Sequence, residues 1–221
     1  MKKVTAFSVL IIVILSNILK AEDFRYWNWT IIGTKVKDVR VSVLLDNRFK
    51  DNADDHYFRF ASLKLSYPLH PNLTAGVNYS VYQLESKNFQ AWKDCRRLEF
   101  ELNPKYGFEN GVKLSLRNRV EFRDIEDKGT SNTRSRHRLK VFIAMDTRFE
   151  ALQGFSASNE FFVNYDGSQN RWNENRFQPL GLIFKLSEQC QLGIFFMQQM
   201  KRKNADWTQT PALGTSMIYK F

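Results

Sequence analysis

The chain has 221 residues, 43% apolar and 25% charged, with 19 Phe, 8 Tyr, 5 Trp and a formal charge of +10. The length suits one domain, and two cysteines, Cys95 and Cys190, are too few for a disulfide framework. The basic balance does not indicate nucleic acid, because the cations recur at period two among acids and no nucleic-acid motif is present.

Residues 1–21 read as a secretory signal: Lys2 and Lys3 open it, Val4 to Leu19 is almost wholly apolar, and Ala21 offers a small residue for cleavage. The apolar run is at the short end for a spanning helix, and no later segment has that character. The expected mature domain is therefore 22–221.

Eleven segments then alternate in polarity: approximately 24–35, 39–49, 57–67, 73–84, 93–103, 111–123, 135–147, 155–165, 176–186, 190–200 and 212–221. None has a helical period. Connections at 36–38, 68–72, 103–110, 149–154 and 187–189 are mostly short. Those at 46–56, 85–92, 124–134, 166–175 and 201–211 are longer and polar. That asymmetry matches the short periplasmic turns and long outer loops of an outer-membrane barrel, and it places the C-terminus in the periplasm. Bacterial single-chain barrels have even strand numbers, and segment 24–35 would have to start outside. The expectation is an all-β, antiparallel transmembrane β-barrel of about ten spanning strands, with twelve as the next choice and 22–38 as an extra strand or plug segment. Pro179 cannot donate to a ladder, so it marks a bulge or a strand start.

Across four consecutive segments, one face carries Arg97, Glu99, Glu101, Lys113, Arg117, Arg119, Glu121, Arg123, Arg136, Arg138, Lys140 and Glu160. Neighbouring strands sit about 4.8 Å apart, so these groups can pair across the ladder. A salt-bridged interior that closes a small barrel ranks ahead of a narrow anion-preferring pore. The opposite face is apolar and would meet lipid. Trp92, Trp172 and Trp207 fall at the expected outer rim, and Tyr67, Tyr219 and Phe221 at the periplasmic rim, as interface aromatics do.

An early Trp, the Asp46-Asn47-Arg48-Phe49 strand end, the Arg-x-Arg pairs Arg117/Arg119 and Arg136/Arg138, the run Asn159-Glu160-Phe161-Phe162, Asn175-Arg176 and a Tyr-Lys-Phe end occur in order. In these features the chain resembles the bacterial "domain of unknown function 2490" family, over most of 27–221. The resemblance implies an outer-membrane barrel and carries no catalytic residues.

His137 is the best candidate for a base. It has the lipid-facing parity near the outer end of its strand, and Asp124 shares that parity on the preceding strand. No nucleophile is placed beside it: the neighbouring lipid-facing positions are Val120, Phe122, Val163 and Tyr165, and neither Ser131 nor Ser135 is read as clearly facing it. His137 thus reads as a rim residue. His56 and His70 fall in different loops, and Asp51, Asp54 and Asp55 lack the pattern of a calcium loop, so no metal or other cofactor is expected. Expected partners are outer-membrane lipid, lipopolysaccharide phosphates near Lys201, Arg202 and Lys203, and the barrel-assembly machinery reading the terminal strand. The expected function is a structural or narrow anion-preferring barrel. A lipid-modifying hydrolase using His137, or a soluble exported ligand-binding barrel, is the alternative.

Overall fold

Alternating runs become strands throughout. The computed structural model describes residues 24–85, 91–126, 132–145, 150–165, 171–203 and 206–221. The expected signal segment 1–21 and Ser131 lie outside the described residues. In chain order the strands are β1 (Arg25–Val36), β2 (Val39–Lys50), β3 (Asp55–His70), β4 (Leu73–Glu85), β5 (Trp92–Gly107), β6 (Val112–Ile125), β7 (Asn132–Ala144), β8 (Leu152–Asn164), β9 (Trp172–Lys185), β10 (Cys190–Lys203) and β11 (Asp206–Lys220). No helix occurs among the described residues.

Consecutive strands pair antiparallel, and β1 pairs with β11 to close the barrel. That closing pair is parallel, in register from Arg25↔Ala212 to Gly33↔Lys220. The expected count of ten strands, or twelve, is therefore corrected to eleven wall strands among the described residues. Segment 24–35 is neither a plug nor an appendage. It is a full wall strand, bonded to β2 from Tyr26↔Phe49 to Val36↔Val39 on one edge and to β11 on the other. The even-number rule fails because it assumes an antiparallel closing pair.

The expected difference in connection length is also reduced. One end of the barrel, called the turn end below, is where β1 ends and β2 begins, and likewise β3 and β4, β5 and β6, β7 and β8, and β9 and β10. The other, the loop end, is where β2 ends and β3 begins, and likewise β4 and β5, β6 and β7, β8 and β9, and β10 and β11. The stretches expected as loops at 46–56 and 201–211 are mostly strand, since β2, β3, β10 and β11 run on past the alternation. Pro179 sits where β9 slips register against both neighbours, between Ser156 and Ser158 on β8 and between Phe196 and Gln198 on β10. This is a bulge that spares the missing N–H.

The interior has two unlike walls. On β5 to β9 the inward residues are mostly charged. Across the bore Trp27 and Trp29 of β1, Phe195 and Met197 of β10 and Ala212 of β11 pack as an apolar cluster. The Trp29 and Phe195 rings lie 4.6 Å apart. A Cβ at Gly214 would collide with the Phe195 ring, so this inward glycine makes room for it. Outward, the wall presents Leu63, Leu65, Val81, Phe100, Leu102, Leu139 and Ile143, all exposed.

Candidate functional site

Period two puts alternate residues of β5, β6 and β7 into the bore, and the antiparallel registers set arginines beside carboxylates. Glu121 is fully buried. It meets Arg134 at 2.6 Å, Arg136 at 2.9 Å, Arg97 at 3.5 Å and Arg119 at 3.7 Å. Glu99 meets Arg97 at 2.7 Å, Arg119 at 2.9 Å and the Asn78 amide at 2.8 Å. Glu101 pairs with Arg119 and Lys64. Glu160 pairs with Arg117 and, at 3.0 Å, with Arg136. These short charge-assisted bonds offset the desolvation that burial imposes.

Eight of the residues read from the sequence thus form one net: Arg97, Glu99, Glu101, Arg117, Arg119, Glu121, Arg136 and Glu160. The other four do not join it by an ion pair. Arg123 donates to the Asn132 carbonyl at 3.1 Å. Lys113 lies 5.8 Å from the Phe142 ring. Arg138 and Lys140 line a cavity near the turn end. The sequence reading missed Lys64, Asn78, Arg134, Glu174 and Arg176, which share the inward face. Arg134 and Glu174 fall in stretches expected as loops, and extending the alternation past those boundaries would have found them.

Cations also bind the two walls together. The Arg48 guanidinium stands 3.7 Å from the Trp27 ring centre, and Arg176 stands 5.0 Å from Trp27 and 4.6 Å from Phe162. Arg134 and Arg136 each stand 4.7 Å from Phe162. Trp27 and Phe162 are both fully buried, so these cation–π contacts are desolvated and strong for their kind. Toward the turn end the inward residues become small: Gly33, Ser42, Ser66, Ser115, Ser156, Gly193 and Ser216. Space opens there as two adjoining cavities of about 560 and 120 Å³ that share Gln191 and Ile218. Arg40, Lys64, Lys105, Lys140 and Arg138 face this space.

The expected interface aromatics lie at the two ends. Trp92 and Trp172 begin β5 and β9, and Trp207 is the second residue of β11, all at the loop end. The Trp172 and Trp207 rings meet edge to face at 5.6 Å. Tyr67, Tyr219 and Phe221 lie near the turn end, with Phe221 the most exposed at 73%. Cys95 and Cys190 are free, near opposite ends of the barrel.

A second polar cluster sits on the outward face. His137 of β7 is in register with Asn118 of β6, not with Asp124, which pairs with Arg96 of β5 nearer the loop end. His137 Nδ1 lies 2.9 Å from Asn118 Oδ1. Asn118 Nδ2 donates to the Leu102 carbonyl at 3.2 Å, which fixes the amide with its oxygen toward the histidine. With that oxygen toward the ring, Nδ1 is the donor in the bond to Asn118. Nε2 lies 3.1 Å from Ser135 Oγ. Ser135 Oγ lies 3.1 Å from the Tyr165 hydroxyl, just past the end of the adjacent β8. Ser135 does face His137: residues two apart on a strand share a face. Parity alone could have found this pair. The His137 ring stacks on Phe161 at 5.2 Å, which holds its plane.

Among curated proteins no relative matches the chain. A solved structure described as "Bacterial polysaccharide outer membrane secretin" is similar in fold, with a TM-score of 0.50, 7% identity, and coverage of 85% of this chain and 77% of that one. At that identity the likeness concerns the fold alone. The sequence profile of the family described as "Protein of unknown function (DUF2490)" matches residues 24–210, and with most of the wall inside that match the chain belongs to this family.

Proposed function

We propose that the protein is an outer-membrane β-barrel, exported with removal of its leader, that crosses the bilayer with a filled bore and does not conduct. The observation that carries this reading is the opposition of the two wall faces. Leu63, Phe100 and Leu139 are 47–51% exposed outward, while the carboxylates of Glu99, Glu101 and Glu121 are nearly or fully buried inward. An apolar outer face of this kind is costly in water and favourable in lipid. The structural neighbour, described as an outer-membrane protein, is consistent with the same address. In this setting Lys201 and Arg202 would meet lipopolysaccharide phosphates, and β11 would be the strand engaged by the assembly machinery.

The test is refolding of residues 22–221 into detergent and lipid. The expected result is a heat-shifted gel mobility, the mark of a closed barrel, with no regular conductance steps in a planar bilayer. Recovery as a soluble monomer without detergent would overturn the membrane reading. The basic cavity at the turn end supports one other reading, a narrow anion pathway. Steps that favour anions and weaken in Arg138→Gln/Lys140→Gln would establish it and remove the closed bore.

A further inference from the structure

We propose that Ser135, His137 and Asn118 form a hydrolytic triad on the outer wall, acting on carboxylic esters of membrane lipids. The substrate class rests on the membrane reading above; the triad itself does not.

Each part of a serine hydrolase has a candidate. The nucleophile and base are within hydrogen-bond distance, Ser135 Oγ to His137 Nε2 at 3.1 Å. The base and its orienting group are also bonded, His137 Nδ1 to Asn118 Oδ1 at 2.9 Å. The orienting amide is itself fixed by its bond to the Leu102 carbonyl. An amide oxygen here does what the third member of a triad must do: it selects the tautomer and holds the ring. All three lie on adjoining strands of a rigid wall, which is more precise than a loop placement.

The surroundings fit an ester with a long acyl chain. Leu116, Val120, Phe122, Leu139 and Phe161 flank the cluster on the same face and are all exposed. Asn118 lies midway along β6 and His137 one residue from the middle of β7, with Ser135 two residues further toward the loop end. Ser135 is only 2% exposed, with the hydroxyl of Tyr165 against its Oγ; Tyr165 is itself 55% exposed, so a small ring displacement that keeps this hydroxyl beside Oγ admits the ester carbonyl.

The chemistry balances with water as the only co-reactant. Ser135 Oγ attacks the ester carbonyl carbon while its proton passes to His137 Nε2. The Tyr165 hydroxyl, 3.1 Å from Oγ, donates to the oxyanion as it forms. The carbon–oxygen bond to the alcohol breaks, and that alcohol takes the proton from His137. Water then attacks the acyl-serine, giving its proton to Nε2, and the fatty acid leaves as Ser135 recovers its proton.

The test uses the refolded barrel in detergent, with closure verified by heat-shifted mobility. A long-chain alkyl fluorophosphonate should leave one adduct, on Ser135. Hydrolysis of p-nitrophenyl esters should fall by about 10³-fold or more in Ser135→Ala and His137→Ala. Asn118→Ala should be impaired, with recovery in Asn118→Asp, and Tyr165→Phe should lower kcat by about 10²-fold. A closed wild-type barrel with no adduct and no hydrolysis overturns the triad, as does labelling that persists in Ser135→Ala. Hydrolysis of p-nitrophenyl butyrate without action on phosphatidylglycerol vesicles overturns the lipid substrate class. An adduct formed on a protein that stays in the soluble fraction overturns the membrane reading and leaves the triad standing.

Discussion

Glu121 contacts four guanidinium groups and has no exposed surface. Removing its charge strands cations in a space with little water, and breaking a buried pair costs about 3–5 kcal/mol. Glu121→Gln should therefore lower the denaturant midpoint of the folded barrel strongly. Arg123→Gln, where the side chain donates to the Asn132 carbonyl at 3.1 Å and makes no ion pair among the described residues, should change it little. The comparison is made by unfolding both variants in the same micelles. Equal midpoints for Glu121→Gln and wild type would mean that the net is not holding the walls together. At this scale the sequence was legible where charge alternated, from Arg97 to Lys140. It was not legible at Trp27 and Trp29, since β1 is apolar on its inward face and half-polar, through Asn28 and Thr30, on its outward one. There the usual polarity of a barrel wall is inverted, and alternation alone does not say which side is in.

β1 is the element that the alternation identified but the topology misplaced. Period two marks a strand whatever the direction of its neighbours, so parallel and antiparallel closure look alike in sequence. A parity rule filled that gap and gave the wrong count. Structurally β1 covers the free edges of both β2 and β11 and inserts Trp27 beneath Arg48 and Arg176. Unpaired edges cannot be tolerated in hydrocarbon. Deleting residues 24–36 should abolish the heat-shifted compact form and leave aggregated chains, as read by gel mobility after refolding. A truncated chain that still shows the compact form would mean that β2 and β11 can close without it. The outer-wall triad was half legible. His137 stands out in the sequence, and its partner Asn118 is in plain sight on the preceding strand. The register that brings them together depends on how β6 and β7 slide past one another, which composition does not encode.

For the molecule as a whole, strands of 12 to 16 residues rise about 3.3 Å per residue and tilt in a barrel, giving a wall roughly 30–40 Å tall. That height is enough to cross a hydrocarbon core with rims to spare. Leu63 lies midway along β3 and faces outward. In a membrane, Leu63→Arg should cost about 2–4 kcal/mol, because the guanidinium would sit near the bilayer midplane. In water the same change on an exposed site would be nearly neutral. Unfolding of this variant in lipid vesicles measures the difference, and a negligible cost there would argue that lipid does not contact the outer face.

An odd ring of directed strands cannot alternate all the way round; one adjacent pair must agree, and in this barrel that pair is β1 and β11. A single extra strand slipped between them would run opposite to both and leave no agreeing pair. Slipped in anywhere else, it would run alongside one of its neighbours. The wall therefore has one address where insertion removes a topological mismatch rather than creating one.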